Sequence, residues 1–140
     1  MDILDTMQIS GSGLTAERIR LQSVASNLAN ARTTRTAEGG PYQRRAPIFE
    51  AVSLDEFGEM LDRELSEVQV TEVKVANSAG RKVFDPAHPD ADADGYVTFP
   101  DIDVLQEMVD LMTTTRAYEA NANVLDTTRD LAMRALEIGR

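Results

Sequence analysis

The segment DADADGYVTFPD, residues 90–101, has the residue types and the spacing of a calcium-binding loop. Side-chain oxygens stand at positions 1, 3, 5, 9 and 12, with a glycine at position 6 and an apolar residue at position 8, as in an EF-hand. Two features argue against a working site. Position 12 is Asp101 where such loops carry a bidentate glutamate, and Pro86 and Pro89 prevent a helix from entering the loop. We therefore predict a tight acidic turn that leads into a strand and a helix. A calcium-responsive binding module that uses residues 90–101 is the alternative function.

No combination of residues in the sequence points to catalysis. His88 is the only histidine and the chain has no cysteine, so we expect neither a nucleophile–base pair nor a histidine or thiolate metal site. The Gly39-Gly40-Pro41 turn lacks the preceding strand and the following helix that a phosphate-binding loop requires. The sequence predicts a protein that is not an enzyme and that has no cofactor, no metal site and no small-molecule substrate.

The charge of the chain argues against nucleic acid as a partner. There are 24 acidic and 14 basic residues, which gives a formal net charge of −10, so a polyanion would be repelled. Four of the basic residues fall in one short segment: Arg32, Arg35, Arg44 and Arg45. We predict that these arginines pair with carboxylates of neighbouring copies of the chain. Anionic lipid or another acidic partner is the alternative.

Two long segments with the spacing of a coiled-coil seam flank these motifs. Most positions spaced alternately four and three residues apart in the first segment are apolar: Ile3, Met7, Ser10, Leu14, Glu17, Leu21, Val24, Leu28 and Ala31. The second segment has the same spacing over a greater length: Val104, Met108, Leu111, Thr115, Tyr118, Ala122, Leu125, Arg129, Ala132 and Leu136. Pro100, Asp101 and Asp103 predict the start of this helix. Over 103–138 it would be roughly 55 Å long at about 1.5 Å per residue, too long for a compact globule of this size to bury.

The middle of the chain predicts a polar loop over 31–47 and then short strands. The strand candidates are Ala46–Val52, Val68–Val75, Lys82–Phe84 and Tyr96–Phe99. In the second candidate the alternation of valines changes phase, so we predict a β-bulge near Thr71–Glu72. A short helix is predicted over 54–65, because four apolar residues of that segment share one helical face: Leu54, Phe57, Leu61 and Leu65.

The two terminal helices are predicted to need neighbours. The conformational entropy lost on ordering a long helix is about as large as the free energy returned by burying one apolar seam and forming the backbone hydrogen bonds together. Gly11 and Gly13 weaken the first helix further, since each costs about 1 kcal/mol relative to alanine. We predict that the termini are loosely ordered in the free chain and become helical on assembly. An intramolecular helical hairpin that forms an ordinary domain core is the alternative.

Several motifs in order along the chain resemble those of the flagellar basal-body rod family. Residues 13–18 and 24–31 are similar to the N-terminal signature shared by flagellar rod and hook proteins, which ends in a Ser/Asn-Asn-Leu-Ala-Asn run. The segments 33–42 and 84–97 resemble the FlgC type of proximal-rod subunit, with the FlgB type as the alternative within the family. The C-terminal block 107–121 is similar to the signature of the whole axial family. One departure is Asp101, where the family pattern usually has asparagine.

The resemblance implies an α+β fold. Long N- and C-terminal helices form a coiled-coil-like inner domain, and a small β-rich domain is inserted between them. We place the helical assembly domain at residues 1–31 and 101–140, the loop at 32–47 and the β-rich domain at 48–100. The implied function is that of a structural subunit of the proximal rod, which polymerises around the export channel and transmits torque from the membrane ring to the distal rod and hook.

The resemblance also implies partners and a location. The partners are the chain itself, rod subunits of the FlgB, FlgF and FlgG types, the FliE-type adaptor at the membrane-ring junction, and the flagellar type III export apparatus. The rod crosses the periplasm. Export without a cleaved signal peptide is expected, because the start MDILDTMQIS is acidic and lacks the apolar run of such a signal. The residues predicted to form the assembly interface are Leu14, Leu21, Val24, Asn27, Leu28, Asn30, Arg35, Arg44, Arg45, Met108, Leu111, Tyr118, Ala122, Leu125 and Leu136.

Overall fold

The computed structural model describes residues 3–53 and 65–138. A first helix is followed by four strands and a second, longer helix: α1 (Ile3–Ala29), β1 (Arg45–Ser53), β2 (Ser66–Val75), β3 (Arg81–Phe84), β4 (Tyr96–Phe99) and α2 (Val104–Ile138). The predicted α+β class, with long terminal helices around a small strand-rich middle, is confirmed. The helix predicted over 54–65 lies, except for its last residue, outside the described residues.

The two helices form an antiparallel hairpin within one chain. Near the connected end the side chain of Asn27 donates a hydrogen bond to Glu107. Further along, Gly13 lies so close to Asn121 that a Cβ added to the glycine would be 3.0 Å from the amide nitrogen of Asn121. Continued to the start of α1, this register would place Ile3 opposite Leu131 and the last two turns of α2 beyond the start of α1. The structure thus shows the hairpin arrangement that the sequence left as the alternative.

The start of α2 follows from side-chain capping. The carboxylate of Asp103 accepts hydrogen bonds from the backbone amides of Leu105 at 2.9 Å and Gln106 at 3.3 Å, which makes Asp103 the N-cap of α2 and confirms the predicted start of that helix. The carboxylate of Asp101 is not part of this cap, because it accepts a hydrogen bond from the Ser78 hydroxyl instead. Helix α1 ends at Ala29, two residues earlier than the predicted seam.

The strands form two separate antiparallel ribbons. Strands β1 and β2 pair from Arg45 opposite Val75 to Ser53 opposite Ser66, and their register shifts between Ile48 and Phe49. This shift leaves Thr71 without a partner on β1, which confirms the predicted bulge. The β1–β2 ribbon packs on α1. Its first strand begins at Arg45, inside the segment 32–47 that the sequence predicted as a loop.

In the second ribbon, the acidic turn connects β3 to β4. Arg81 pairs with Phe99 and Phe84 with Tyr96, and the rings of Phe84 and Tyr96 meet edge to face with centroids 5.3 Å apart. In the turn before β4 the carboxylate of Asp92 accepts hydrogen bonds from the amides of Asp94 at 3.0 Å and Tyr96 at 2.8 Å. The tight acidic turn predicted from the sequence is therefore present.

Candidate assembly interface

The α2 side of the seam with α1 is built from polar side chains. Every seventh residue of α2 facing this seam is polar: Glu107, Thr114, Asn121 and Thr128. The hydroxyls of Thr114 and Thr128 donate to carbonyls four residues earlier in their own helix, at 2.6 and 2.8 Å, so they hold nothing across the seam. Because little apolar surface is buried here, the hairpin gains less free energy from burial than a leucine-rich coiled coil would.

Several large apolar side chains of α2 instead face outward. Leu105 is 72% exposed, Met108 50%, Val109 49% and Met112 58%. Their spacing of three, four and seven residues places them on one helical face, about half a turn around the helix from Glu107 and Thr114. We call these four residues the outer stripe. A stripe of this kind is the usual surface for packing a second helix.

The predicted interface residues of α2 divide between the two faces. Met108, Tyr118 and Leu136 are exposed, at 50%, 37% and 70%, whereas Leu111, Ala122 and Leu125 are half-buried. The reason is that the heptad seam read from the sequence is displaced around the helix from the side that contacts α1. The exposed members are accessible to a neighbouring chain, and their role in assembly stays a prediction.

The predicted interface residues of α1 lie mostly inside the chain. Leu14, Leu21, Leu28 and Asn30 are half-buried, Val24 is 5% exposed and Asn27 is 0% exposed. The side chain of Asn30 donates to the backbone carbonyl of Ser26 at 2.9 Å and accepts from the Thr33 hydroxyl at 3.1 Å. It therefore shapes the turn that follows α1. Asn27 and Val24 have almost no surface to offer a neighbour in this structure.

Asn27 is the centre of a buried polar junction. Its amide nitrogen donates to the carbonyl oxygen of Arg45 at 2.9 Å and to Glu107 at 3.1 Å. Its side-chain oxygen accepts from the backbone amide of Arg45 at 2.9 Å and from the Tyr42 hydroxyl at 3.1 Å. All four bonds join α1 to other parts of the chain. One side chain thus ties α1 to the start of β1 and to the first turn of α2.

Arg44 completes this junction with charge. Its guanidinium donates to the carboxylate of Glu107, which is only 1% exposed, and lies 3.9 Å from the carboxylate of Asp110. Tyr42, Glu107 and Asp110 were not predicted as site residues. The sequence offered little to single out Glu107, because Gln106 and Asp110 are also polar within the first two turns of α2. A buried carboxylate needs a partner, but the sequence does not identify Arg44 as that partner.

The other arginines of the basic segment have weaker contacts. Arg35 lies 3.8 Å from Asp90, but its side chain is 78% exposed, so this ion pair contributes little stability. The guanidinium of Arg45 lies 5.9 Å from the centroid of the Tyr42 ring. The structure therefore gives Arg35 and Arg44 acidic partners in their own chain. Pairing with neighbouring copies stays a prediction.

The side chains of the acidic loop, residues 90–101, are not arranged as ligands around a cation. Asp90 accepts a hydrogen bond from the Thr34 hydroxyl at 2.7 Å, and Asp92 is occupied by backbone amides. The ring nitrogen of His88 accepts from the amide of Asp90 at 3.1 Å. Within residues 3–53 and 65–138, no group of three or more histidine or acidic side chains is arranged to hold a metal ion. No helix of that part of the chain is long and apolar enough to cross a membrane.

Comparison with known proteins agrees with this architecture. Residues 7–35 match the flagella basal body rod protein family, and residues 93–138 match the family described as flagellar basal body rod FlgEFG protein C-terminal. The chain is 38% identical to the flagellar basal-body rod protein FlgC of Bacillus subtilis over the full length of both chains. It belongs to the FlgC family of flagellar basal-body rod proteins.

Two further FlgC relatives show the same end-to-end correspondence. The FlgC protein of Aquifex aeolicus is 41% identical, with 98% of this chain and 97% of the relative aligned. The FlgC protein of Salmonella typhimurium is 34% identical over the whole of both chains. The resemblance noted from the sequence motifs is thereby confirmed. The FlgC family is a structural family and not an enzyme family, so the prediction that the chain is not an enzyme is confirmed as well.

The two family matches cover the helical part of the junction, while Tyr42, Arg44 and Arg45 lie between them. The N-terminal match covers most of α1 and the turn after it, which includes Asn27 and Asn30. The C-terminal match covers β4 and α2, which includes Glu107. In the FlgC-type chain described here, these two segments meet through the bond from Asn27 to Glu107.

Proposed function

We propose that this chain is a structural subunit of the proximal rod, which polymerises around the export channel and carries torque from the membrane ring to the distal rod and hook. The proposal rests on the distribution of side chains around α2, which has polar residues on the face toward α1 and large apolar residues on the opposite face. Its inner seam is polar, and its outer stripe exposes four large apolar side chains. A helix of this kind gains most of its burial from contacts outside its own chain.

Assembly would also bury apolar side chains that the hairpin leaves exposed. The last turns of α2 would extend past α1 at the register of the hairpin, and Leu136 and Ile138 there are 70% and 87% exposed. Neighbouring subunits that cover these residues would add apolar burial at about 25 cal/mol per Å². We propose that the distal half of the hairpin gains order when the rod forms, while the half nearest the Asn27 junction is held within the chain.

Torque transmission requires that a subunit does not come apart under load. The junction ties α1, α2 and β1 together through Asn27, Glu107 and Arg44, so force applied to one helix reaches the other and the ribbon. The proposed helical assembly domain, residues 1–31 and 101–140, would make the contacts along the rod. The region 48–100 would form the part inserted between them.

The family membership supports association with other flagellar rod components. We propose that the neighbours are further copies of this chain, rod subunits of the FlgB, FlgF and FlgG types, and the FliE-type adaptor at the membrane-ring junction. The proposed route is delivery by the flagellar type III export apparatus without removal of a signal peptide, which places the assembled subunit in the rod where it crosses the periplasm. Leu14, Leu21, Leu28, Arg45 and the other predicted interface residues, apart from the buried Val24 and Asn27, are proposed to contribute to these contacts.

The proposal is tested by deleting the gene for this chain in its own bacterium and restoring it in tagged form. We expect the deletion strain to be non-motile and to make membrane rings without a rod, and the tagged chain to restore swimming and to purify with basal bodies. An enzyme or a soluble binding module would remain in the soluble fraction. Rods that form normally in the deletion strain would rule out the proposed function.

A further inference from the structure

A pocket of about 350 Å³ lies where α1, α2 and the β1–β2 ribbon meet. It has room for several side-chain groups, since one water molecule occupies about 30 Å³. Ile9 and Ala16 of α1 line it together with Phe49 and Val68 of the ribbon. Phe49 and Val68 remain 39% and 36% exposed. The walls are therefore mostly apolar, and they are open to a neighbouring molecule.

Glu17, which lines the pocket, has a carboxylate oxygen without a partner. One oxygen of Glu17 is buried and has no hydrogen-bond partner among the described residues. Arg20 lines the same pocket, but no ion pair joins it to Glu17. A buried acceptor left unpaired costs about 1–3 kcal/mol, more when it is charged, so native structures pair nearly all of them. The Glu17 residue as a whole is only half-buried, so a turn of its side chain toward the pocket would let a hydrogen-bond donor from outside the chain pair with it.

The outer stripe of α2 has the complementary chemistry. Leu105, Met108, Val109 and Met112 present apolar surface, and Arg116 follows on the same helical face one turn later. Arg116 is exposed and has no acidic partner among the described residues. The stripe therefore combines apolar side chains with one unpaired cation. The pocket combines apolar walls with Glu17, one of whose oxygens is unpaired, and with the polar side chains of Arg20 and Asn121.

We propose that the outer stripe of one copy docks into this pocket of a second copy, with Arg116 of the stripe bonded to Glu17 of the pocket. The inference rests on the proposed function, because it describes one contact within the polymer. The stripe faces away from α1, whereas the pocket lies against α1, so one copy cannot fill its own pocket. Two different surfaces that pair between identical chains form a heterologous contact, which repeats into a ring or an open helix rather than a closed dimer.

The absence of cysteine from the sequence makes this contact testable by engineered disulfides. Two tagged chains, one carrying Met112→Cys and the other Val68→Cys, are expressed together in the deletion strain, and basal bodies are purified and oxidised. A disulfide forms only where two Cα atoms approach within about 7 Å. The matched control replaces Met112→Cys with Leu131→Cys, another exposed apolar position on α2 at 57%.

We expect a covalent dimer between the Met112→Cys and Val68→Cys chains, and little with the Leu131→Cys control. Dimers between two Met112→Cys chains would instead show that stripes pack on stripes, which would overturn the inference. If the cells swim and their rods contain the chain but no Met112–Val68 disulfide forms, the docking inference is wrong and the proposed function stands. If the chain is absent from rods, both are wrong.

Charge reversal provides a second test that does not depend on disulfide geometry. We expect Glu17→Arg alone and Arg116→Glu alone each to lower incorporation into rods about tenfold, which corresponds to about 1.4 kcal/mol. A chain with both changes should recover most of the loss, because every copy then carries the inverted pair. Recovery cannot come from a chain that has misfolded. A double variant no better than either single variant would overturn the pairing of Arg116 with Glu17.

Discussion

Replacing Asn27 by alanine should destabilise the chain by about 3–5 kcal/mol. The side chain is 0% exposed and makes four hydrogen bonds, two to the backbone of Arg45 and one each to Tyr42 and Glu107. At about 1 kcal/mol net for each bond, the loss is about 4 kcal/mol, and the buried groups left behind gain no water in exchange. Domains of ordinary size have 5–15 kcal/mol of stability in total, so this is a large share.

The assay is urea unfolding followed by far-ultraviolet circular dichroism, with linear extrapolation to water. The matched control is Asn123→Ala on the exposed side of the same helical hairpin. Both substitutions exchange asparagine for alanine within a helix and gain the same intrinsic helix propensity, so their difference isolates the buried bonds. We expect Asn123→Ala to change stability by less than about 0.5 kcal/mol.

Hydrogen exchange at one amide gives the local counterpart of this measurement. The backbone amide of Arg45 donates to the Asn27 side chain, so it should exchange faster in Asn27→Ala and be unchanged in Asn123→Ala. If the two variants unfold at the same urea concentration and the Arg45 amide exchanges at its original rate, the junction does not hold α1 to β1 and α2. The account of load transfer through Asn27 would then be refuted.

Three further substitutions test the local structure by the same unfolding assay. Gly11→Ala should stabilise the chain by about 0.5–1 kcal/mol, because a Cβ there meets nothing within 4 Å and the position is helical; destabilisation would contradict the open position. Gly80→Ala should cost more than Gly39→Ala, since both have positive φ but the Gly80 Cβ would lie 2.6 Å from the carbonyl oxygen of Phe99; equal costs would contradict the close packing at β3–β4. Asp103→Ala should cost about 1 kcal/mol and fray the first turn of α2, and unchanged amide exchange there would show that this cap is not needed.

The sequence predicted individual helices and strands well, because the residues that determine them are close to them in the sequence. The change of phase among the valines of β2 predicted the bulge, and the structure leaves Thr71 unpaired on that strand. The aspartates before α2 predicted its start, and Asp103 caps the helix. In both cases the residues that carry the signal are within a few positions of the feature they cause. Boundary errors were small, such as the early start of β1 at Arg45.

Which face of each helix contacts the other helix was harder to predict, because it depends on the residues of the opposite helix. Heptad spacing gives a period but does not say which side meets the other helix of the same chain. The apolar positions suggested one seam, whereas the hairpin closes on Glu107, Thr114 and Thr128. Two of these are threonines that satisfy their hydroxyls within their own helix, and the glutamate is satisfied by Arg44 from a distant part of the sequence. Such long-range pairing has no local signature.

The central claim is that the outer stripe of α2 is free in the isolated chain and covered in the rod. Methionine oxidation followed by mass spectrometry tests it directly, since Met108 and Met112 are 50% and 58% exposed in the isolated chain and exposed methionines oxidise readily. Purified chain and purified basal bodies are treated with the same peroxide concentration. We expect Met108 and Met112 to oxidise rapidly in the free chain and much more slowly in basal bodies. Equal oxidation rates in the two samples would contradict the claim that this surface builds the rod.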